Sequence, residues 1–146
     1  DSDTVATIKN NLAVIFKNLR DTEKAARYYH EALTSFRKTH GEDCPQVASV
    51  YNNLGVLCYA SLEIERAQEM HEKALAIREK LGPDQIDAAD LAQTCINLGA
   101  VYKATGDFQK AEECLERARV LRATNGGYKP RPRRAASLLI DGTSLR

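Results

Sequence analysis

The side chains best suited to catalysis or metal binding, histidine and cysteine, are few and poorly spaced for either task. None of the three histidines has a nucleophile or metal-binding partner at a diagnostic spacing. The four cysteines form no C-x-x-C pair, and the chain has no glycine-rich phosphate loop. The sequence therefore predicts a protein that is not an enzyme, with no cofactor and no metal site.

Asparagine side chains offer a different chemistry, because they recur at regular spacing. Asn11, Asn53 and Asn97 are separated by 42 and 44 residues. An amide both donates and accepts hydrogen bonds, so a row of three can pair with the backbone of an extended peptide in a sequence-tolerant way. The same amides could instead join neighbouring helices with no ligand present. Both interpretations stay open at this point.

The same two offsets relate small and apolar positions, which indicates three copies of one structural unit. A period near 42 residues also occurs in propellers and in HEAT or armadillo arrays, but the alternating strands of propeller blades are missing here. Each copy has a leucine followed by two alanines: Leu12, Ala25 and Ala32, then Leu54, Ala67 and Ala74, then Leu98, Ala111 and Ala118.

The third copy shows what the unit is. Between residues 91 and 121, apolar residues recur at i, i+3, i+4 and i+7, the pattern of one helix face, and Thr105-Gly106-Asp107 interrupts them. Gly106 suits a left-handed helix end, and Asp107 can cap the next helix. Gly99 costs about 1 kcal/mol inside a helix unless close helix packing requires it. The sequence predicts a helical hairpin, and Thr4 is a candidate cap for the first helix of the chain.

These residues resemble the tetratricopeptide repeat, since Leu98-Gly99, Tyr102, Ala111 and Ala118 sit at its motif spacing. The phrase from Ala74 to Asp84 resembles the 42-residue variant found in kinesin light chains, and the resemblance covers roughly residues 5–125. It implies an all-α, right-handed superhelical solenoid of three helix-turn-helix hairpins. The repeats are expected at about residues 5–45, 47–83 and 91–126 within residues 1–127, and an extended basic, proline-rich tail at residues 128–146.

In that family the inner faces of the first helices line a concave groove, and asparagine holds the backbone of a bound peptide. The chaperone-binding subclass clamps a carboxylate with lysine and arginine, but Asn10, Gln93 and Asn97 stand at the corresponding positions here, which argues against that subclass. The remaining lining is small and apolar with cationic rims. The resemblance implies a peptide-binding groove formed by Asn11, Val14, Lys17, Asn18, Asn53, Val56, Tyr59, Asn97, Ala100 and Lys103.

The function expected from this resemblance is a protein interaction module, of adaptor or scaffold type, that binds a peptide or helix of a partner protein. A regulatory domain that docks onto a folded enzyme and a self-assembly module remain as alternatives. The net charge of +1 divides into +4 on residues 128–146 and −3 on the repeats, so nothing indicates a nucleic-acid surface on the repeats. No apolar run approaches the ~20 residues that span a bilayer. Three cysteines at repeat-core positions are typical of buried free thiols, which favours a cytosolic or nuclear setting, and the cytoplasm is the location we expect.

The tail carries two separate predictions. Ser137 follows Arg133 and Arg134 in an R-x-x-S pattern and is a candidate phosphosite, with an inert basic linker as the alternative. Leu138, Leu139 and Ile140 form a short apolar triplet in the tail. We expect this triplet to dock on its own chain or on a neighbouring chain, because a solenoid is expected to leave an apolar face on its final helix. The alternative is an extended arm.

Overall fold

A computed structural model describes residues 1–124, which form three antiparallel helix pairs and the turns between them. The all-helical solenoid expected from the sequence is confirmed for this part of the chain. The predictions for the tail, including Ser137 and residues 138–140, lie outside the described residues. The helices are α1 (Ser2–Asn18), α2 (Thr22–His40), α3 (Pro45–Ala60), α4 (Ile64–Leu81), α5 (Ala88–Thr105) and α6 (Phe108–Thr124).

Each first helix of a pair begins two or three residues earlier than expected. Helix α1 begins at Ser2 because the Asp1 carboxylate accepts hydrogen bonds from the backbone amides of Asp3 and Thr4. Thr4 therefore lies inside the helix, and its expected role as the cap is wrong. Helix α3 begins at Pro45, because proline is already in helical geometry at the first helical position.

The turns inside the three pairs share a backbone conformation that the sequence only partly reveals. Gly106 is left-handed as expected, with φ of +85°. Arg20 and Leu62 stand at the equivalent positions and are also left-handed, with φ of +63° and +62°. This conformation costs a residue with a Cβ atom about 1–2 kcal/mol. The shared turn geometry therefore overrides the preference of the residue that occupies it.

Glycine within the first helices allows close contact inside a pair, as the sequence predicts. A Cβ atom on Gly99 would lie 2.9 Å from the Leu115 side chain. A Cβ atom on Gly55 would lie 2.6 Å from the His71 ring, which is buried. The hairpins are therefore packed too closely at these positions for even a methyl group to enter without movement.

Pairs stack through their second helices, and this arrangement makes the first helices an inner row. Helix α2 packs on both α1 and α3, and α4 packs on both α3 and α5. The first helices α1, α3 and α5 also touch one another in sequence, whereas the second helices make no comparable contact with each other in the described part of the chain. Because the first helices approach one another more closely than the second helices do, we call α1, α3 and α5 the inner row.

The final helix differs from the expectation of an apolar outer face. Leu33 of α2 and Leu75 of α4 pack in the core clusters, but the equivalent residue of α6 is the exposed Arg119. Arg119 forms an ion pair with Glu116, which is also exposed. The stacking side of α6 is charged, so the premise that this helix leaves an apolar face is wrong.

Candidate functional site

The candidate site is a surface formed by one face of each first helix, α1, α3 and α5. On α3 it follows Asn53, Val56 and Ala60, which lie on one helix face because they are three or four residues apart. The equivalent residues of α5 are Asn97, Ala100 and Ala104. Stacking of the three helices places these faces next to each other.

Two asparagines of the predicted row, Asn53 and Asn97, join neighbouring first helices. The Asn53 side-chain amide donates to Oδ1 of Asn10 at 3.1 Å, from α3 to α1. The Asn97 amide donates to Oδ1 of Asn52 at 3.2 Å, from α5 to α3. The two bonds are equivalent, since the repeat offsets carry Asn10 onto Asn52 and Asn53 onto Asn97. This geometry is the inter-helix alternative that the sequence left open.

Two of the predicted groove residues have no exposed surface. Val14 and Asn53 are both 0% exposed, so the expectation that their side chains line an open groove is corrected. Neighbouring helices enclose them, because the first helices contact one another directly. The peptide-binding role of the remaining residues stays a prediction: Asn11, Lys17, Val56, Asn97 and Ala100 are half-buried, whereas Asn18, Tyr59 and Lys103 are exposed.

A buried polar cluster between the second and third repeats was missed by sequence reasoning. Oδ1 of Asn52 lies within 3.3 Å of three polar groups, on His71, Thr94 and Asn97. His71 is 1% exposed and lies in the core, where its repeat position placed it. The adjacent pair Asn52-Asn53 could have indicated the cluster. Two neighbouring side chains of a helix point in different directions, so the two asparagines cannot both lie on the same surface, and one of them needs polar partners elsewhere.

Arg78 extends this cluster from α4 to α5. Its guanidinium donates to the carbonyl of Asp90 at 2.9 Å and to Oγ1 of Thr94 at 2.5 Å, and the side chain is 2% exposed. The equivalent residue of the first repeat is the apolar Phe36. Directional bonds from a buried guanidinium accept few alternative geometries. The interface between the first and second repeats therefore has an apolar side chain where the interface between the second and third repeats has a buried arginine. At the latter interface, polar contacts fix the alignment of α3 with α5.

The cysteine thiols and the Tyr102 hydroxyl are held in their protonated forms. Burial raises the pKa of all four thiols, so they stay protonated at neutral pH. Burial and the hydrogen bond to Glu72 likewise raise the pKa of Tyr102. Within residues 1–124 no three His, Cys, Asp or Glu side chains are grouped to hold a metal ion. None of the helices in that range has the length and apolar character needed to cross a membrane.

Comparisons with known proteins agree on the repeat. Models of the tetratricopeptide repeat match residues 4–80 and 92–125. Protein KINESIN LIGHT CHAIN-RELATED 1 of Arabidopsis thaliana is 28% identical over 114 residues, which cover 78% of this chain and 19% of that protein. A clustered mitochondria protein homolog of Aspergillus niger is 32% identical over 89 residues, which cover 60% of this chain and 7% of that protein.

A solved structure matches more closely. The crystal structure of BtubC (BKLC) from P. vanneervenii is 64% identical to this chain and superposes with a TM-score of 0.81. The match covers 94% of this chain and 54% of that chain. The chain thus spans about half the length of the solved relative and less than a fifth of each curated relative.

Proposed function

The chain belongs to the tetratricopeptide repeat family, in a kinesin light chain-like form, and from this premise we propose how it acts as a protein interaction module. A peptide or helix of a partner protein binds along the inner row, and the module serves as an adaptor or scaffold. The accessible contacts are Val56 and Tyr59 on α3 and Ala100 and Lys103 on α5. Asn18 and Lys17 extend the same surface onto α1.

The difference in charge between the two kinds of helix supports this proposal. Helix α3 contains no Asp, Glu, Lys or Arg, whereas its partner α4 contains eight such residues. Charged residues solvate the second helices, as expected for a surface that faces water. The uncharged inner helix still exposes 40% of Tyr59, and aromatic side chains are enriched where proteins bind partners.

Rigid alignment of the inner row supports the same proposal. The bonds from Asn53 to Asn10 and from Asn97 to Asn52 hold the three first helices in one alignment before any partner arrives. A preorganised surface loses less conformational entropy on binding. We therefore assign the asparagines of these two bonds to positioning the surface, and the contact with the partner to the exposed residues around them.

The proposal is tested with a peptide selected from a random library against the whole chain. Calorimetry with Tyr59→Ala and with Lys103→Glu should show affinity reduced by about 5- to 30-fold, the usual cost of losing a central interface residue. The matched control is Glu65→Ala, an exposed residue of α4, which should leave affinity unchanged. Selected peptides that lose affinity only with the control variant would place the binding surface on the second helices.

The proposed location of the module is the cytoplasm. All four cysteines are free, at positions 44, 58, 95 and 114, and the first three are buried. Free thiols persist in reducing compartments. Detection of the full-length protein in a cell fraction that carries oxidised marker proteins would contradict this part of the proposal.

A further inference from the structure

Helix α6 carries two large apolar side chains on a surface that is otherwise mostly polar or charged. Phe108 is 66% exposed and Val120 is 44% exposed. In the second hairpin the residue equivalent to Phe108 is Ile64, which is half-buried and packs in a cluster with Val101 of the following helix α5. The part of the chain that comes next thus covers this position in the second repeat.

Phe108 and Val120 lie at the two ends of one row of side chains. Phe108, Glu112, Glu116 and Val120 are four residues apart and form a ridge along the helix, which we call the α6 ridge. All four side chains are exposed. Glu116 pairs with the equally exposed Arg119, and such a surface pair contributes little to stability. The ridge is therefore acidic in its middle and apolar at both ends.

The sequence that follows α6 complements this ridge. Residues 128–140, which we call the basic segment, contain four basic residues and no acidic residue, and they end in the apolar triplet at 138–140. The basic residues are Lys129, Arg131, Arg133 and Arg134. The pair Gly126-Gly127 comes just before them, and glycine permits the backbone conformations of a sharp turn. A reversal at this pair directs the basic segment back along α6.

The spacing of charges along the two elements also matches. Residues four apart on a helix are separated by about 6 Å along its axis, which applies to Glu112 and Glu116. A proline-rich chain extends by about 3.1 Å per residue, so Arg131 and Arg133 are separated by about 6 Å in such a chain. The five positions from Arg133 to the apolar triplet add about 15 Å. That length exceeds the further 6 Å or so along the ridge to Phe108.

We propose that the basic segment folds back onto the α6 ridge of the same chain. Arg131 pairs with Glu116 in this arrangement. Arg133 pairs with Glu112, and the apolar triplet covers Phe108. This inference goes beyond the proposed function, because the ridge belongs to a second helix and not to the inner row.

The physical basis of this docking is attachment, because exposed ion pairs are individually weak. A segment that is tethered beside its binding surface is present at an effective concentration of about millimolar, which compensates for weak contacts. The same reasoning predicts that docking is sensitive to salt, since salt screens exposed charges over about 10 Å at 0.1 M and about 3 Å at 1 M.

Trypsin cleavage between Arg134 and Ala135 tests the proposal, because a protease cuts a docked segment only while it is transiently released. The reference is a synthetic peptide of residues 126–146, in which the same bond has no helix to dock on. Mass spectrometry gives the initial cleavage rates. We expect the bond to be cut at least about tenfold more slowly in the 146-residue chain than in the peptide. At 1 M salt most of this protection should disappear.

Variants of α6 assign the protection to the ridge. Phe108→Ala combined with Glu112→Gln and Glu116→Gln should bring the cleavage rate to within about threefold of the rate in the peptide. All three side chains are exposed, so the melting temperature should change little. The matched control is Glu65→Gln with Glu69→Gln, two exposed glutamates of α4, which should leave the cleavage rate unchanged.

Three results would overturn the proposal. The first is equal cleavage of the bond in the chain and in the peptide. The second is protection that the α6 variant and the α4 control change equally or not at all, which would place the basic segment elsewhere on the molecule. The third is protection that falls as the chain is diluted, which would assign the basic segment to a second copy.

Discussion

Replacing Gly55 with alanine should destabilise the protein, although alanine is the better helix former. The new methyl carbon would lie 2.6 Å from the Cε1 and Nε2 atoms of the His71 ring. The ring has little freedom to move, because it is 1% exposed and its Nδ1 atom lies 3.0 Å from Oδ1 of Asn52. The clash therefore has to be relieved by moving α4 or by giving up the contact with Asn52.

The expected magnitude follows from three contributions. Overpacking a dense core costs about 1–3 kcal/mol, and losing the His71–Asn52 contact costs about 1 kcal/mol. Exchanging glycine for alanine in a helix returns about 1 kcal/mol. The net result for Gly55→Ala is a loss of about 1–3 kcal/mol in the free energy of unfolding.

Urea denaturation followed by far-UV circular dichroism measures this loss, and Gly99→Ala is its matched control. The methyl group at position 99 would lie 2.9 Å from the Leu115 side chain, which is half-buried and ends in rotatable methyl groups. Movement of Leu115 should cancel most of the clash, so the change for Gly99→Ala should stay within about 1 kcal/mol of zero.

A second background separates the clash from other effects of the new methyl group. With His71→Ala already present, Gly55→Ala should become neutral or stabilising, because only the gain in helix propensity remains. The packing argument is refuted if Gly55→Ala raises stability in the wild-type background, or if it destabilises both backgrounds equally.

The other predictions use single variants and simple assays. Leu62→Gly should stabilise the fold by about 0.5–1 kcal/mol in urea denaturation, since it relieves a left-handed residue that is 83% exposed; a loss would contradict the turn geometry. Asn53→Ala should cost about 1–3 kcal/mol because it leaves Oδ1 of Asn10 without the Asn53 donor in the core; an unchanged melting temperature would contradict a stabilising role for this bond. Iodoacetamide should label Cys114 first, as it is the least buried cysteine; faster labelling of any other thiol would contradict the burial. Burial and neighbouring arginines lower the pKa of His30, so its contribution to stability is present above pH 6.5 and lost as pH falls through the lowered pKa; His30→Gln should flatten the pH dependence of the melting temperature in that range.

The sequence was sufficient to predict the hairpins because their signals are local and occur three times. Gly99 and Ala111 pointed to close packing within a pair, and the structure shows that packing. The conformations of the turns were harder to predict from the sequence. Gly106 reveals its left-handed conformation by its residue type, but Leu62 adopts the same conformation because the shared hairpin geometry requires it.

The lining of the inner row could be predicted only in part, because accessibility depends on contacts between repeats. Val14 is enclosed by neighbouring helices, and Asn53 is both enclosed and bonded to the preceding helix. Neither the residue type nor the position within the motif distinguishes Val14 from the half-buried Val56. The distances between helices that decide such cases are set by the packing of the whole array.

The most direct test of the central claim is a ¹H–¹⁵N NMR map of the chain with a library-selected peptide. Binding along the inner row predicts that the largest amide shifts fall on α3 and α5 around Val56, Tyr59, Ala100 and Lys103, and that exposed residues of α4 such as Glu65 stay unchanged. Shifts concentrated on the outer helices, with the inner row unaffected, would contradict the account.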